Sequence, residues 1–266
     1  WRCVAATEPG GRASPGQTED RPVTAAAPDI KALGPAIRFA DAILRPIGRM
    51  DVDALAIAPL PGSDIRALSS HPAFAAPINR AVRERLRLTG NPVSRATVDR
   101  LMTQPKSRLA LLFATERAIE VDRASMILAA TVLHKRIAGM LLKSDRIAAQ
   151  KALGSDAFAV AVHEAPFMHA SLAELDRLPA ESDILTTPPD AAQGRVDAVN
   201  RFGLHVALNY VEAVEPEILP FVLARLHADA APAGRRDAVA ALQPGHVDHI
   251  VKLMRRRLPS WSAIIG

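Results

Sequence analysis

The chain has 266 residues, 49% of them apolar and 23% charged, with a formal net charge of +5. That length expects about one or two domains, with roughly three quarters of the unfolded surface buried in a single unit, and the apolar share excludes wholesale disorder. The one cysteine, Cys3, excludes an internal disulfide or thiolate cluster and fits a reducing compartment, and no apolar run approaches the roughly 20 residues that cross a bilayer.

Aromatic residues make up only 4% of the chain, while alanine, leucine and arginine dominate. Those residues favour helices, and aromatic and β-branched ones fill strands, so the composition predicts an all-α fold: an irregular multi-helix globular bundle. The basic balance admits nucleic acid, a membrane surface or acidic proteins as partners, yet only Arg255, Arg256 and Arg257 form a tight basic run.

In chain order, residues 1–29 are rich in glycine, proline, threonine and acidic residues without periodicity, and predict a disordered tail. The start lacks methionine and the apolar centre of a signal peptide, which reads as a fragment or a start placed too far upstream. From residue 30 to 266 the pattern is one helical domain. "APLPGSD" (58–64) is a loop in which Ser63 or Asp64 can cap a short helix. "HPAFAAPINRAVRERLRL" (71–88) sets Phe74, Ile78, Val82 and Leu86 on one face, with arginines opposite, and stops at "TGNP".

"PKSRLALLFAT" (105–115) begins with a helix-starting proline. In "SMILAATVLHKRIAGMLLKSD" (125–145), Met126, Ala130, Leu133, Ile137 and Met140 form a stripe that wants a partner helix. Gly154 ends the next helix, Ser155 or Asp156 caps "DAFAVAVHEA", and Pro166 begins or kinks the turn after it. "PAESDILTTPPDAAQG" (179–194) reads as a long loop or a seam between two helical subdomains. Helical segments then fill the remainder.

His163, Glu164 and His169 invite comparison with helical zinc sites, whose histidines stand at i and i+4, about 400° of rotation apart. Here they are six apart, roughly 600°, with Pro166 between them. The spacing predicts a helix end with Glu164 in solvent. His246 and His249, at i and i+3, can share a metal but lack an evident third ligand, and an amphipathic helix carrying polar histidines explains them equally well. His134 and His205 sit among apolar residues and predict hydrogen-bonded core histidines. No nucleophile elbow, phosphate-binding glycine loop or acid–base pair stands out, so the expectation is a non-enzyme with no catalytic residue, metal or cofactor. Arg80, Arg83, Arg85 and Arg87 leave a helical nucleic-acid-binding or regulatory protein as the alternative, although no stacking aromatics interleave with them.

Several stretches together resemble a known family. "SRLALLFATE" (107–116), "ILAATVLHKRIAGMLLKSDRIAAQKALGSDAFAVAVHEAPFMHASL" (127–172) and "LMRRRLPSWSAIIG" (253–266) are similar to the type III secretion accessory proteins called SctK, which include YscK-like and NolU-like proteins. The pattern is a helix ending in leucine-histidine, then "LG-x-x-AF", "EAP" and a terminal "P-x-W". "LSSHPAFAAPINRAVRERLRL" (68–88) looks like the upstream helix, and the likeness spans residues 65 to 265. These are packing patterns rather than ligand sets. The resemblance implies a helical cytoplasmic adaptor, peripheral to the inner membrane, connecting an SctD-like inner-membrane ring protein to an SctQ-like pod protein. It places no binding residue.

At the end of the chain, Ile250, Leu253, Met254 and Leu258 give one apolar face, with Arg255, Arg256 and Arg257 over much of the remainder. Pro259 is expected to end this helix and leave Trp261, Ile264 and Ile265 as a short apolar extension. Trp261 then either folds into the core, the favoured reading, or anchors a partner together with the three arginines.

Overall fold

Several of the described helices start with proline, although Pro35 and Pro77 lie inside theirs. Pro105, Pro166, Pro244 and Pro259 each stand in a first turn, where their missing N–H would have had no intrahelical acceptor. The computed structural model describes residues 30–48, 62–85, 93–179, 184–185, 192–225 and 238–266. These form an all-α, multi-helix globular fold. Fourteen α-helices are ordered as α1 (Ile30–Leu44), α2 (Gly62–Ser70), α3 (Pro72–Arg85), α4 (Arg95–Thr103), α5 (Pro105–Thr115), α6 (Ala118–Val132), α7 (His134–Ala138), α8 (Lys143–Leu153), α9 (Ser155–His163), α10 (Ala165–Met168), α11 (Ala192–Val214), α12 (Leu219–Arg225), α13 (Pro244–Arg257) and α14 (Pro259–Ile265) among the described residues. Short 3₁₀ turns lie at Pro46–Gly48, Ala170–Leu175 and Pro216–Ile218. Extended pairing among the described residues is limited to the isolated bridge between Asp176 and Val239. No described helix is long and apolar enough to cross a membrane.

The expected tail (1–29) and Cys3 lie outside the described residues, as do 58–61 of the first loop, Leu86, Arg87 and most of 179–194. Helices α6 and α11, one on either side of that last segment in sequence, pack directly together.

Helix α5 is the axle. Every residue from Ser107 to Thr115 is buried, and α1, α4, α11, α12, α13 and α14 all pack against it. A helix buried all round has no polar face to orient it, which is why its periodicity in sequence is weak. The α6–α11 contact is unusually close. Gly203 lies against the backbone of Ser125, and a Cβ on Gly203 would stand 1.8 Å from the Ser125 carbonyl oxygen.

Several local expectations need correction. The segment 125–145 runs through three helices, the end of α6, all of α7 and the first residues of α8: Leu133 leaves helical geometry at φ −84°, ψ 6°, and the buried His134 ring pairs through Nδ1 with the Thr131 carbonyl at 2.8 Å. The expected stripe still faces inward, with Ala130, Leu133 and Ile137 buried and Met126 and Met140 packed on the core. Gly154 takes the cap position of α9, and Ser155 is already helical. With φ +79° and ψ 159°, Gly154 occupies a region open essentially to glycine alone, and this sharp reversal lets α8 and α9 follow without a linker. Helix α2 begins at Gly62, so Ser63 and Asp64 sit in its first turn. Phe74 does not join Val82 in the interior. It is exposed and tilts against His71.

Candidate functional site

Helix α13 meets the corner that follows α9. Glu164 is the C-cap of α9 at φ −119°, ψ −48°, and Pro166 opens α10 immediately afterwards. Proline cannot donate back to the preceding turn, so the chain bends there and directs Glu164 inward. Glu164 is only 4% exposed, contrary to the solvent position its place at a helix end predicts. Its burial is offset by cations from the last turn of α13. Arg257 donates from Nη2 to Oε2 of Glu164, and Arg256 brings Nε within 3.4 Å of Oε1. A buried carboxylate is tolerable only when paired in this way.

His169, buried just after α10, places Nε2 3.6 Å from Oε1 of Glu164. His249 of α13 stands edge-on to it, with ring centroids 5.7 Å apart at 87°. Burial pushes the His169 imidazole below its ordinary value; the Glu164 carboxylate opposes that shift, and His249 and Arg256 add to it. His163 is exposed, so the two histidines that suggested a zinc motif part company at Pro166. The pair at 246 and 249 also separates in role. The His246 ring accepts the Gln243 N–H at 3.2 Å and closes a capping box on α13, while His249 faces His169. Among the described residues no cluster of three or more His, Cys, Asp or Glu is placed to hold a metal.

The expected terminal extension is a helix, α14, begun by Pro259 after Leu258 breaks α13 at φ −120°, ψ 88°. That break turns Trp261 into the core, where it is 1% exposed, the favoured of its two sequence readings. Its ring meets Phe113 of α5 edge-on at 5.3 Å and 88°, and Phe113 in turn lies 6.2 Å from Tyr210 of α11. The Tyr210 hydroxyl donates to the Lys106 carbonyl at 2.9 Å, and burial holds that phenol well above its usual value. Arg255 is exposed and makes no ion pair among the described residues.

Two further charged residues were invisible to spacing arguments. Arg108, 6% exposed, donates to the Met102 carbonyl at 2.7 Å and the Ile264 carbonyl at 3.3 Å, tying together the ends of α4 and α14. Glu215, fully buried, accepts Arg100 Nε at 2.9 Å, Arg100 Nη2 at 2.8 Å and the Ser107 hydroxyl at 2.6 Å. The hydrogen bond to Glu215 raises the Arg100 guanidinium above its ordinary value. What these arrangements do is mechanical: they fasten helix ends to α5 and to the α9–α10 corner.

No family model, no curated protein and no solved structure matches the chain.

Proposed function

We propose that the chain is a non-enzymatic adaptor of a type III secretion system, of the SctK kind, linking an SctD-like inner-membrane ring protein to an SctQ-like pod protein at the cytoplasmic base of the apparatus. One observation carries the reading. The three stretches on which the resemblance rests form a single packing unit: α13 and α14 pack on α5, and the arginines of α13 hold the "EAP" corner through Glu164. Motifs made of packing residues and not of ligands gain weight when they pack on one another. In this reading Trp261 acts from inside, by holding α14 in place, and Arg255 is the member of the basic run left free to meet a partner.

The test is co-expression with the SctQ-like and SctD-like proteins of the same genome. At least one should be retained through purification, and Arg255→Glu should weaken that retention. If the folded chain retains neither, the adaptor reading falls.

A second reading has an observation of its own. Arg45, Arg80 and Arg83 line a hollow of about 680 Å³ with Ser69 and Ser70, and none of the three forms an ion pair among the described residues. Such a surface suits a polyanion, which keeps a nucleic-acid-binding role in play. Sequence-selective DNA or RNA binding that survives physiological salt would favour it over the adaptor.

A further inference from the structure

A second surface lies where α8 begins. Leu141 is 96% exposed and Leu142 62%, in the turn joining α7 to α8, and Ile147 on α8 is 41% exposed. Beside them is a groove of about 330 Å³ lined by Leu141, Lys143, Arg146, Ile147, Gln150 and Phe158. Lys143, Arg146, Ile147 and Gln150 fall within roughly 100° of arc on α8, so they form one face. Phe158 of α9 supplies the opposing wall and is itself packed on the core. The charged residues of the lining are both cations. Among the described residues neither Lys143 nor Arg146 is in an ion pair, and no carboxylate lines the groove.

An apolar floor with an uncompensated cationic rim has a definite complement. We propose that this groove docks an acidic amphipathic helix of a partner protein, its apolar stripe on Leu141, Ile147 and Phe158 and its carboxylates facing Lys143 and Arg146. Leu141 projects from the turn, but the apolar surface continues from it into the groove along Ile147 and Phe158, a path that a helix laid between α8 and α9 can follow and a flat bilayer surface cannot. A second copy is disfavoured by symmetry, since a two-fold contact here would set the cations of one rim against those of the other. The inference stands apart from the secretion reading, because it rests only on this groove.

The experiment uses the full chain and fluorescein-labelled amphipathic helical peptides that share one leucine stripe and differ only in the charged face, made of Glu, Gln or Lys. Anisotropy titration should rank them Glu, then Gln, then Lys. The double variant Lys143→Glu/Arg146→Glu should weaken the Glu peptide by about tenfold or more and reverse the preference toward the Lys peptide. Leu141→Ser/Ile147→Ser should weaken all of them. Reversal of preference cannot come from misfolding, so it keeps the test sound if a variant is less stable. Absence of binding, a ranking indifferent to charge, or binding untouched by these substitutions would overturn the proposal. So would two other results: anionic phosphatidylserine vesicles captured through the same residues without peptide binding, or a dimer in sedimentation that Leu141→Ser dissociates.

Discussion

Glu164 and Arg257 are 93 residues apart in the chain and joined by a hydrogen bond between a carboxylate 4% exposed and a guanidinium 35% exposed. The unequal exposure makes the pair asymmetric. Removing the carboxylate leaves two arginines that can turn to water, so Glu164→Gln should cost about 1–2 kcal/mol. Removing the cations strands a buried anion, so Arg256→Ala/Arg257→Ala should cost about 3–5 kcal/mol. Urea denaturation of the variants measures both, and the opposite order would show that Glu164 is not held by these arginines.

The same corner predicts an acid-side dependence. Burial lowers the His169 imidazole below its ordinary value near 6.5, so the unfolded chain binds that proton more readily than the folded one. Stability from this residue is therefore present above about pH 6.5 and declines as pH falls toward the lower folded value. His169→Gln should flatten the decline in melting temperature across that window. Glu217, held below its ordinary value of 4.5 chiefly by the Ser94 N–H, and Asp248, held below 3.8 chiefly by Lys106, lose their contributions only at more acid pH. A variant melting profile identical to the parent between about pH 7 and pH 5 would remove His169 from the account.

Two glycines should fail for different reasons. Gly203→Ala gains up to about 1 kcal/mol of helix propensity. Its new Cβ meets the Ser125 carbonyl oxygen at 1.8 Å and would push α6 and α11 apart. Overpacking of this kind costs about 1–3 kcal/mol or more, so net destabilisation is expected. Gly154→Ala meets no neighbour within 4 Å. Its cost comes entirely from φ +79°, about 1–3 kcal/mol. Chemical denaturation distinguishes the cases when Ser is also tried at each site: bulk should worsen position 203 further and leave position 154 about the same.

Trp261→Ala should destabilise the fold by about 3–5 kcal/mol, since the ring is buried and packed on Phe113. Trp261→Phe, which keeps an aromatic edge for that contact, should recover much of the loss. If Trp261→Ala left stability unchanged but abolished retention of a pod protein, the ring would be a docking anchor and α14 would have to leave the core.

Much of the local structure could be read directly. The proline at 105 marks a helix start, the glycine at 154 marks a helix end, and the stripe through Ile250, Leu253, Met254 and Leu258 is buried throughout, whereas Pro259 not only ends one helix but starts the next. The candidate site was visible as residues and not as contacts. Spacing separated His163 from His169 and left His246 and His249 as either a metal pair or the polar face of a helix, whereas the contacts of His169 with His249 and with Glu164 had no signal in spacing.

The division has one physical reason. Helix starts, reversals and apolar faces depend on backbone sterics and on periodicity within a few turns, so the amino-acid sequence by itself determined them: an all-α chain, its stripes and most of its breaks. Whether a charged side chain is buried depends on a counter-charge that desolvation makes obligatory, and that partner is set by packing. Glu164 finds its cation 93 residues away, Glu215 finds Arg100 at 115, and Arg108 reaches the Ile264 carbonyl at 156. No local pattern encodes those separations, so only the tertiary structure decided which charges are interior fasteners and which, like Arg255, Lys143 and Arg146, are left facing out.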